Sequence, residues 1–371
     1  MFGQAVAPTD PAQTAAALEQ QGKTTEAEAA WKAVMKVHPN SSDAYAHLGF
    51  LEARQEHYTE AVPYYRKALA LNPTMPGLRM NLGLALFKAG QLKDAVSTFV
   101  LLLKAEPAAS PDAQRLTTLI GLAHYGLGEY AAAVPYLKKA SAYDPQSLPF
   151  RLALAHSCLG SKQYQCVLDV YKEILILNAE SAEADMLAGE AMDAMQDHAG
   201  AVQQFRAAVK ANPSEPNVHF GLGYLLWTQN QYPEAAQEFQ AELANVPDSA
   251  PAMAYLADIQ IKMSQYDKAL PLLQNAIRID PTMELPHLDL GILRADAGHQ
   301  EEALAELNIA AKLSPEDFTV HYRLARLLKS MGRQQEAAVE FEKTNNLHKA
   351  ASKLVSEQLN GMIAREASKP Q

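Results

Sequence analysis

Apolar positions along this chain recur at helical spacing in two alternating phases. Between Ser214 and Pro247, Val218, Leu222, Leu225 and Leu226 share one face of a first helix, and Ala235, Phe239 and Leu243 share one face of a second. A polar break joins them. Gly223 falls on the apolar face and removes the side chain that would hold a neighbouring helix away. Pro233 is tolerated in a first turn, where its missing N–H would have no partner, and Pro247 cannot continue the second helix. The stretch predicts a helical hairpin in which Gly223 and Ala235 face each other and Phe239 fills the wedge above them.

The pattern is periodic. Terminal prolines stand at Pro39, Pro73, Pro107, Pro145, Pro213, Pro247, Pro281 and Pro315, mostly 34 residues apart, with Ala179 where one is missing. A small residue marks each first helix from the second hairpin on: Gly49, Gly83, Gly121, Ala155, Gly189, Gly223, Ala257, Gly291 and Ala325. In the second helices it is Ala27, Ala61, Ala95, Ala133, Val167, Ala201, Ala235, Ala269, Ala303 and Ala337, and four residues later comes a bulky apolar group such as Trp31, Tyr65, Phe99 or Phe239. Ten hairpins follow. A code of small, small and large residues specifies packing; it specifies no chemistry.

These residues resemble the tetratricopeptide repeat family in period and in the Leu-Gly, Ala, aromatic and Pro pattern, from about Pro8 to Lys349. The resemblance implies an all-α, right-handed superhelix (solenoid) of about ten helix pairs, with a C-terminal capping helix and with first helices lining a concave, peptide-holding face. Residues 1–7 read as a disordered N-terminus, 8–109 as the first three pairs, 110–113 as an inserted linker and candidate hinge, 114–349 as pairs four to ten, 350–367 as the cap and 368–371 as a tail. The cap is expected because the last hairpin would otherwise show its apolar face to water.

Solvent-directed positions of the first helices form two apolar clusters. One contains Phe50, Met80, Leu84, Phe87, Leu122 and Tyr125; the other contains Met186, Phe220, Tyr224, Trp227, Tyr255 and Ile261. Glu183, Glu190 and Asp193 lie between them, which favours a partner bearing Lys or Arg. Aromatic residues in a groove are the kind that dominate binding energy, although the same positions also serve packing between repeats. Phe87, Tyr224 and Trp227 are expected to be the most exposed.

The formal net charge of −10 disfavours nonspecific nucleic-acid or anionic-membrane binding, which requires neutralising phosphate. Phe318 to Gln371 is locally basic, with nine Lys and Arg against five Asp and Glu, so the acid is concentrated earlier. No apolar run approaches the ~18 residues of a membrane span. The start lacks a basic and apolar leader, so the chain reads as soluble and cytoplasmic as written, or periplasmic or secreted if a leader was removed. Cys158 and Cys166 lie in one hairpin without other metal ligands nearby, and read as two small packing or surface residues, with a disulfide open in an exported protein.

No catalytic, cofactor or metal motif is present, and His219, His287 and His321, at one place in their repeats, read as packing residues. Gly-Leu-Gly at Gly221 and at Gly126 belongs to helix packing and a helix end. A clamp for a chaperone's terminal carboxylate, as used by some relatives of this type, would place Ala46, Phe50, Asn81, Arg115 and Leu119 at its positions, which matches too little to imply that role. The expected function is a non-catalytic scaffold or adaptor that binds a peptide or protein segment in its groove. Alternatives are a self-assembling structural solenoid, hence a homo-oligomer, and a regulatory or targeting subunit of an enzyme complex.

Overall fold

A computed structural model describes residues 10–367, with side chains described to residue 353. The expected frayed ends, 1–7 and 368–371, lie outside the described residues. The order begins α1 (Pro11–Gln20), α2 (Thr24–Val37), α3 (Ser42–Arg54), α4 (Tyr58–Leu71) and α5 (Leu78–Lys88). It continues with α6 (Leu92–Ala105), α7 (Pro111–Gly126), α8 (Tyr130–Tyr143), α9 (Leu148–Gly160) and α10 (Tyr164–Leu177). Then come α11 (Ala182–Ala194), α12 (His198–Ala211), α13 (Val218–Thr228), α14 (Tyr232–Asn245) and α15 (Ala250–Lys262). The last are α16 (Tyr266–Ile279), α17 (Glu284–Asp296), α18 (Gln300–Leu313), α19 (Phe318–Ser330) and α20 (Gln334–Ala367). The described residues contain no strand, and no helix among them is long and apolar enough to cross a membrane.

The chain divides into two compact bodies, an N-terminal one through Asp197 and a C-terminal one from His198. Within each body every helix packs on its sequence neighbours, and several first helices, such as α3 and α5 or α13 and α15, also touch the next first helix. The residues around 110–113, expected as a linker, form the N-cap and first turn of α7: Ser110 Oγ accepts from the Ala113 N–H at 3.0 Å, and the extra length makes α7 16 residues long. Residues 350–367, expected as a separate helix, continue α20 without a break.

The packing code acts directly between helices. A β-carbon at Gly83 would lie 2.5 Å from the Phe99 ring, and one at Gly223 would lie 2.9 Å from the Phe239 ring. The large residue of the second helix therefore seats on the glycine itself and does not sit above a glycine–alanine contact. Gly221 serves the preceding hairpin, since a β-carbon there would meet Phe205 at 2.1 Å. Phe99, Phe239 and all the small second-helix residues from Ala27 to Ala337 are buried, Val167 included.

Each hairpin turn contains one residue in the left-handed region: Gly22, Glu56, Gly90, Gly128, Lys162, Gln196, Asn230, Ser264, Gly298 and Gly332. At Gly90 the Gln91 N–H returns to the Leu86 carbonyl at 2.9 Å and the Gly90 N–H to Phe87 at 3.2 Å, which closes the end of α5. Glycine reaches that conformation without strain, so the five side-chain-bearing residues hold it against a steric cost. Serine starts several first helices: Ser41 Oγ accepts from Ala44 N–H at 3.2 Å, and Ser181 and Ser249 do likewise at 3.4 Å.

Cys158 of α9 and Cys166 of α10 form a disulfide, their Cα atoms 5.8 Å apart. This corrects the reading of two unlinked small residues. The bond staples one hairpin on a core where Cys158, Val167 and Ile174 are buried together.

Candidate functional site

In the N-terminal body a cavity of about 360 Å³ opens between the first helices. α3 supplies Phe50 and Arg54, α5 supplies Asn81, Leu84 and Lys88, and α7 supplies Arg115. Phe50 remains 40% exposed, and the Arg54 guanidinium lies 5.8 Å from its ring centre. Arg54, Lys88 and Arg115 are exposed and make no ion pair among the described residues. Three cations thus border an apolar floor within a chain of formal charge −10. Such a surface attracts carboxylates that also carry apolar groups.

The first predicted cluster separates into several places. Phe50 and Leu84 share this cavity, whereas Met80 lines a neighbouring one of about 400 Å³ near the start of α5. Phe87 is half-buried against the core that includes Leu86 and Phe99. Leu122 and Tyr125 pack on a different core, with the Tyr125 ring 6.2 Å from that of His156.

The acidic strip is partly engaged. Glu183 of α11 meets His156 Nε2 at 2.7 Å, and exposed Glu190 lies within electrostatic reach of the same His156. Asp193 and Met186 are half-buried on α11. Nearby, the Tyr171 hydroxyl donates to Asp185 at 2.7 Å; burial first, and that hydrogen bond second, push the phenol up.

In the C-terminal body, Phe220, Tyr224 and Trp227 of α13 converge on Tyr255 of α15, with ring centres 5.9, 5.4 and 5.0 Å from it. Tyr255 also stacks on Phe239 at 5.8 Å, so it wedges the two hairpins together. Burial chiefly, then Tyr224, Asp258 and Glu284, raise its hydroxyl to about 12. Tyr224 is 36% exposed, while Trp227 is half-buried and its indole N–H donates to Asp258 at 2.5 Å. Ile261, half-buried on α15, packs on the core around Leu273 and is not part of this aromatic set.

Sequence reasoning missed the charged residues behind these rings. Asp258 and Asp289 are both buried, and Asp258 also holds the Lys262 ammonium. A usable signal was the repeat register, which places Asp258 where Phe50, Leu84 and Tyr224 stand in other hairpins.

The histidines read as packing residues are buried, and each also meets a glutamate of the following helix. His219 Nδ1 lies 2.6 Å from Glu238, His287 Nδ1 2.7 Å from Glu306 and His321 Nδ1 2.5 Å from Glu340. Burial works to raise the Glu340 acid, but hydrogen bonds from Lys343 and His321 outweigh it and hold the group below its ordinary value. The constant separation of 19 residues was visible in the sequence. Another buried carboxylate, Glu242 of α14, accepts the Asn217 and Phe220 N–H groups at 3.1 Å each and caps α13. Among the described residues no group of three or more His, Cys, Asp or Glu could hold a metal ion.

Family models described as tetratricopeptide repeat match residues 13–76, 168–216, 186–250 and 288–344, and a second such model matches 52–120 and 124–191. The chain belongs to the tetratricopeptide repeat family. Among curated relatives, the CTR9 homolog of Arabidopsis thaliana is 21% identical over 288 residues, covering 75% of this chain and 26% of that protein. The BBSome complex member BBS4 of Bos taurus is 23% identical over 212 residues, covering 57% of this chain and 40% of its own length. The chain therefore spans well under half of either relative. A solved tetratricopeptide repeat protein from Parabacteroides merdae superposes with a TM-score of 0.52 at 17% identity, covering 67% of this chain and 97% of that one. Cut9, in its hetero-tetramer with Hcn1, gives 0.51 at 17% identity over 82% of this chain and 59% of the other. These likenesses concern the fold.

Proposed function

We propose that this chain is a non-catalytic interaction scaffold that holds a peptide or protein segment against its first helices. The carrying observation is the cavity on α3, α5 and α7, where exposed Phe50 and half-buried Leu84 lie beside three cations without ion pairs among the described residues. Membership of a repeat family that generally mediates protein–protein interaction supports the same reading. The cationic border favours a segment that combines carboxylates with apolar side chains, so this cavity reverses the preference suggested by the acidic strip. Its apolar floor would supply affinity and its cations orientation.

A displayed library of random peptides selected on the intact chain tests the proposal. Peptides pairing Asp or Glu with apolar residues should be enriched, and the double reversal Lys88→Glu with Arg115→Glu should weaken them more than tenfold, most clearly at low salt. Enrichment that is indifferent to both the reversal and the Phe50→Ala variant would remove the cavity from the function.

A further inference from the structure

The aromatic cluster of the C-terminal body ends at a carboxylate and already carries a cation. Tyr224 and Trp227 stack with ring centres 6.0 Å apart, and Tyr255 stands edge-on to both. Asp258, one turn beyond Tyr255 on α15, accepts the Trp227 N–H at 2.5 Å. The Lys262 ammonium completes the group: it pairs with the same Asp258 and lies 5.6 Å from the Trp227 ring centre and 5.8 Å from that of Tyr232. A carboxylate beside electron-rich ring faces binds a guanidinium or ammonium ion by charge and by the ring quadrupole together.

Lys262 is poorly secured in that place. It reaches Asp258 from four residues along the same helix, on a flexible four-carbon stem, with its side chain 36% exposed. Asp258, in contrast, is 5% exposed and cannot be left without a partner cheaply. A cation from another chain could take the position while Lys262 turns into solvent.

An independent observation points to the same occupant. Asp289 of α17, also 5% exposed, has an oxygen, Oδ2, with no hydrogen-bond partner among the described residues. The charges around it are two acids, Asp258 of α15 and Glu284 of its own helix, and two cations, Lys262 of α15 and Arg323 of α19. Burial first, and Asp258 next, push its acid well up. A partner's cation on Asp258 takes over the charge that Lys262 already places there, and the unpartnered Asp289 Oδ2 is a further acceptor beside it.

We propose that the Tyr224, Trp227 and Asp258 face is a receptor for a partner's Arg or Lys side chain, a position that Lys262 fills in the free protein. The inference rests on the groove reading above and names a partner group for the opposite body. It also relocates the preference for a basic partner from Glu183 and Glu190 to Asp258.

The two tryptophans make a direct test, because each body contains one and both indoles donate to a carboxylate: Trp31 to Glu19 at 3.0 Å, and Trp227 to Asp258. The intact chain, labelled with 15N at indole nitrogen, is titrated with N-acetyl-arginine amide and, separately, with N-acetyl-glutamine amide. The Trp227 resonance should move with the arginine probe alone while Trp31 stays in place. Lys262→Ala should lower the concentration at midpoint by threefold to tenfold, and Asp258→Asn, which keeps an acceptor for the indole, should abolish the response. Equal responses to both probes, or a Lys262→Ala variant with an unchanged or higher midpoint, would overturn the proposal. The peptide selection reads the other body, so its success beside a failed arginine titration would sink this inference and leave the groove reading standing.

Discussion

Two first-helix positions, four residues apart, have opposite fates in the two bodies. In the N-terminal body they are Phe50 and Arg54, and in the same register of the C-terminal body they are Asp258 and Lys262. Beside an aromatic ring the cation keeps its charge for outside use, and Arg54 has no ion pair among the described residues. Beside a buried carboxylate the cation is taken up internally, and Lys262 is held by Asp258. The repeat thus fixes where groove residues stand, while one residue decides whether the neighbouring charge is available. This freedom exists because the packing residues of the first helices, such as Leu222 and Gly223 of α13, are buried on another face.

Truncating aromatic residues should separate the bodies most. Tyr255→Ala removes a ring packed among Phe220, Trp227 and Phe239, and should destabilise the C-terminal body by about 3–5 kcal/mol. Phe50→Ala, at a half-solvated cavity wall, should cost under about 1 kcal/mol. Denaturant unfolding followed through Trp227 in a Trp31→Phe background, and through Trp31 in a Trp227→Phe background, reads the two bodies separately. Similar losses would mean that Phe50 is as much a packing residue as Tyr255.

Removing the carboxylate tests whether the second groove is held together by Asp258. Asp258→Ala strands the Trp227 N–H and the Lys262 ammonium, and should cost about 1–3 kcal/mol, whereas Arg54→Ala should stay within about 0.5 kcal/mol. Placing a carboxylate in the other body makes the converse test. Leu84→Asp stands four residues before Lys88, so it should capture that cation, change stability by under about 1 kcal/mol and weaken acidic-peptide binding about tenfold. Unchanged binding in that variant would show that Lys88 takes no part.

The bodies should also differ in pH response. Burial first, and the charge of Asp317 second, raise the Glu284 acid to about 7, with His287 opposing. A folded-state value above the ordinary 4.5 means that the folded form holds its proton longer than the unfolded chain does. The resulting stability is present below about pH 4.5 and is lost as pH rises to about 7, so the C-terminal body should weaken across that window. Glu284→Gln should flatten this dependence when Trp227 fluorescence is followed against pH.

The smallest effect should be common to both bodies. Glu56→Gly and Ser264→Gly relieve left-handed backbone at the same turn position, and each should raise stability by up to about 1 kcal/mol in thermal unfolding. A gain in only one body would mean that the two turns are not equivalent.

The periodic residues were legible in the sequence because each acts through local spacing. Gly83 and Ala95 allow close approach, Phe99 fills it, and Pro107 ends the pair, so helix spacing and repeat length suffice to place them. Phe220, Tyr224, Trp227 and Tyr255 were also legible as a set, since the register aligns them on α13 and α15. The cluster proposed from Phe50 to Tyr125 was not one set, because Leu122 and Tyr125 pack toward α9 and α10 while Phe50 and Leu84 face the cavity. Register gives a position along the repeat; it does not give the rotamer or the neighbour that claims the side chain.

By itself the sequence determined the helical hairpin, its ten-fold recurrence and the family, all consequences of backbone geometry and of which side chains are small, large or cyclic. Tertiary structure alone decided which charges remain free. Among the described residues Arg54, Lys88 and Arg115 make no ion pair, Trp227 of α13 donates to Asp258 of α15, Cys158 is bonded to Cys166, and the buried histidines meet glutamates on the following helix. The physical reason is range: helix formation and hairpin packing are set by neighbours within one repeat, whereas ion pairing and solvent access depend on a few ångströms between side chains that different helices bring together.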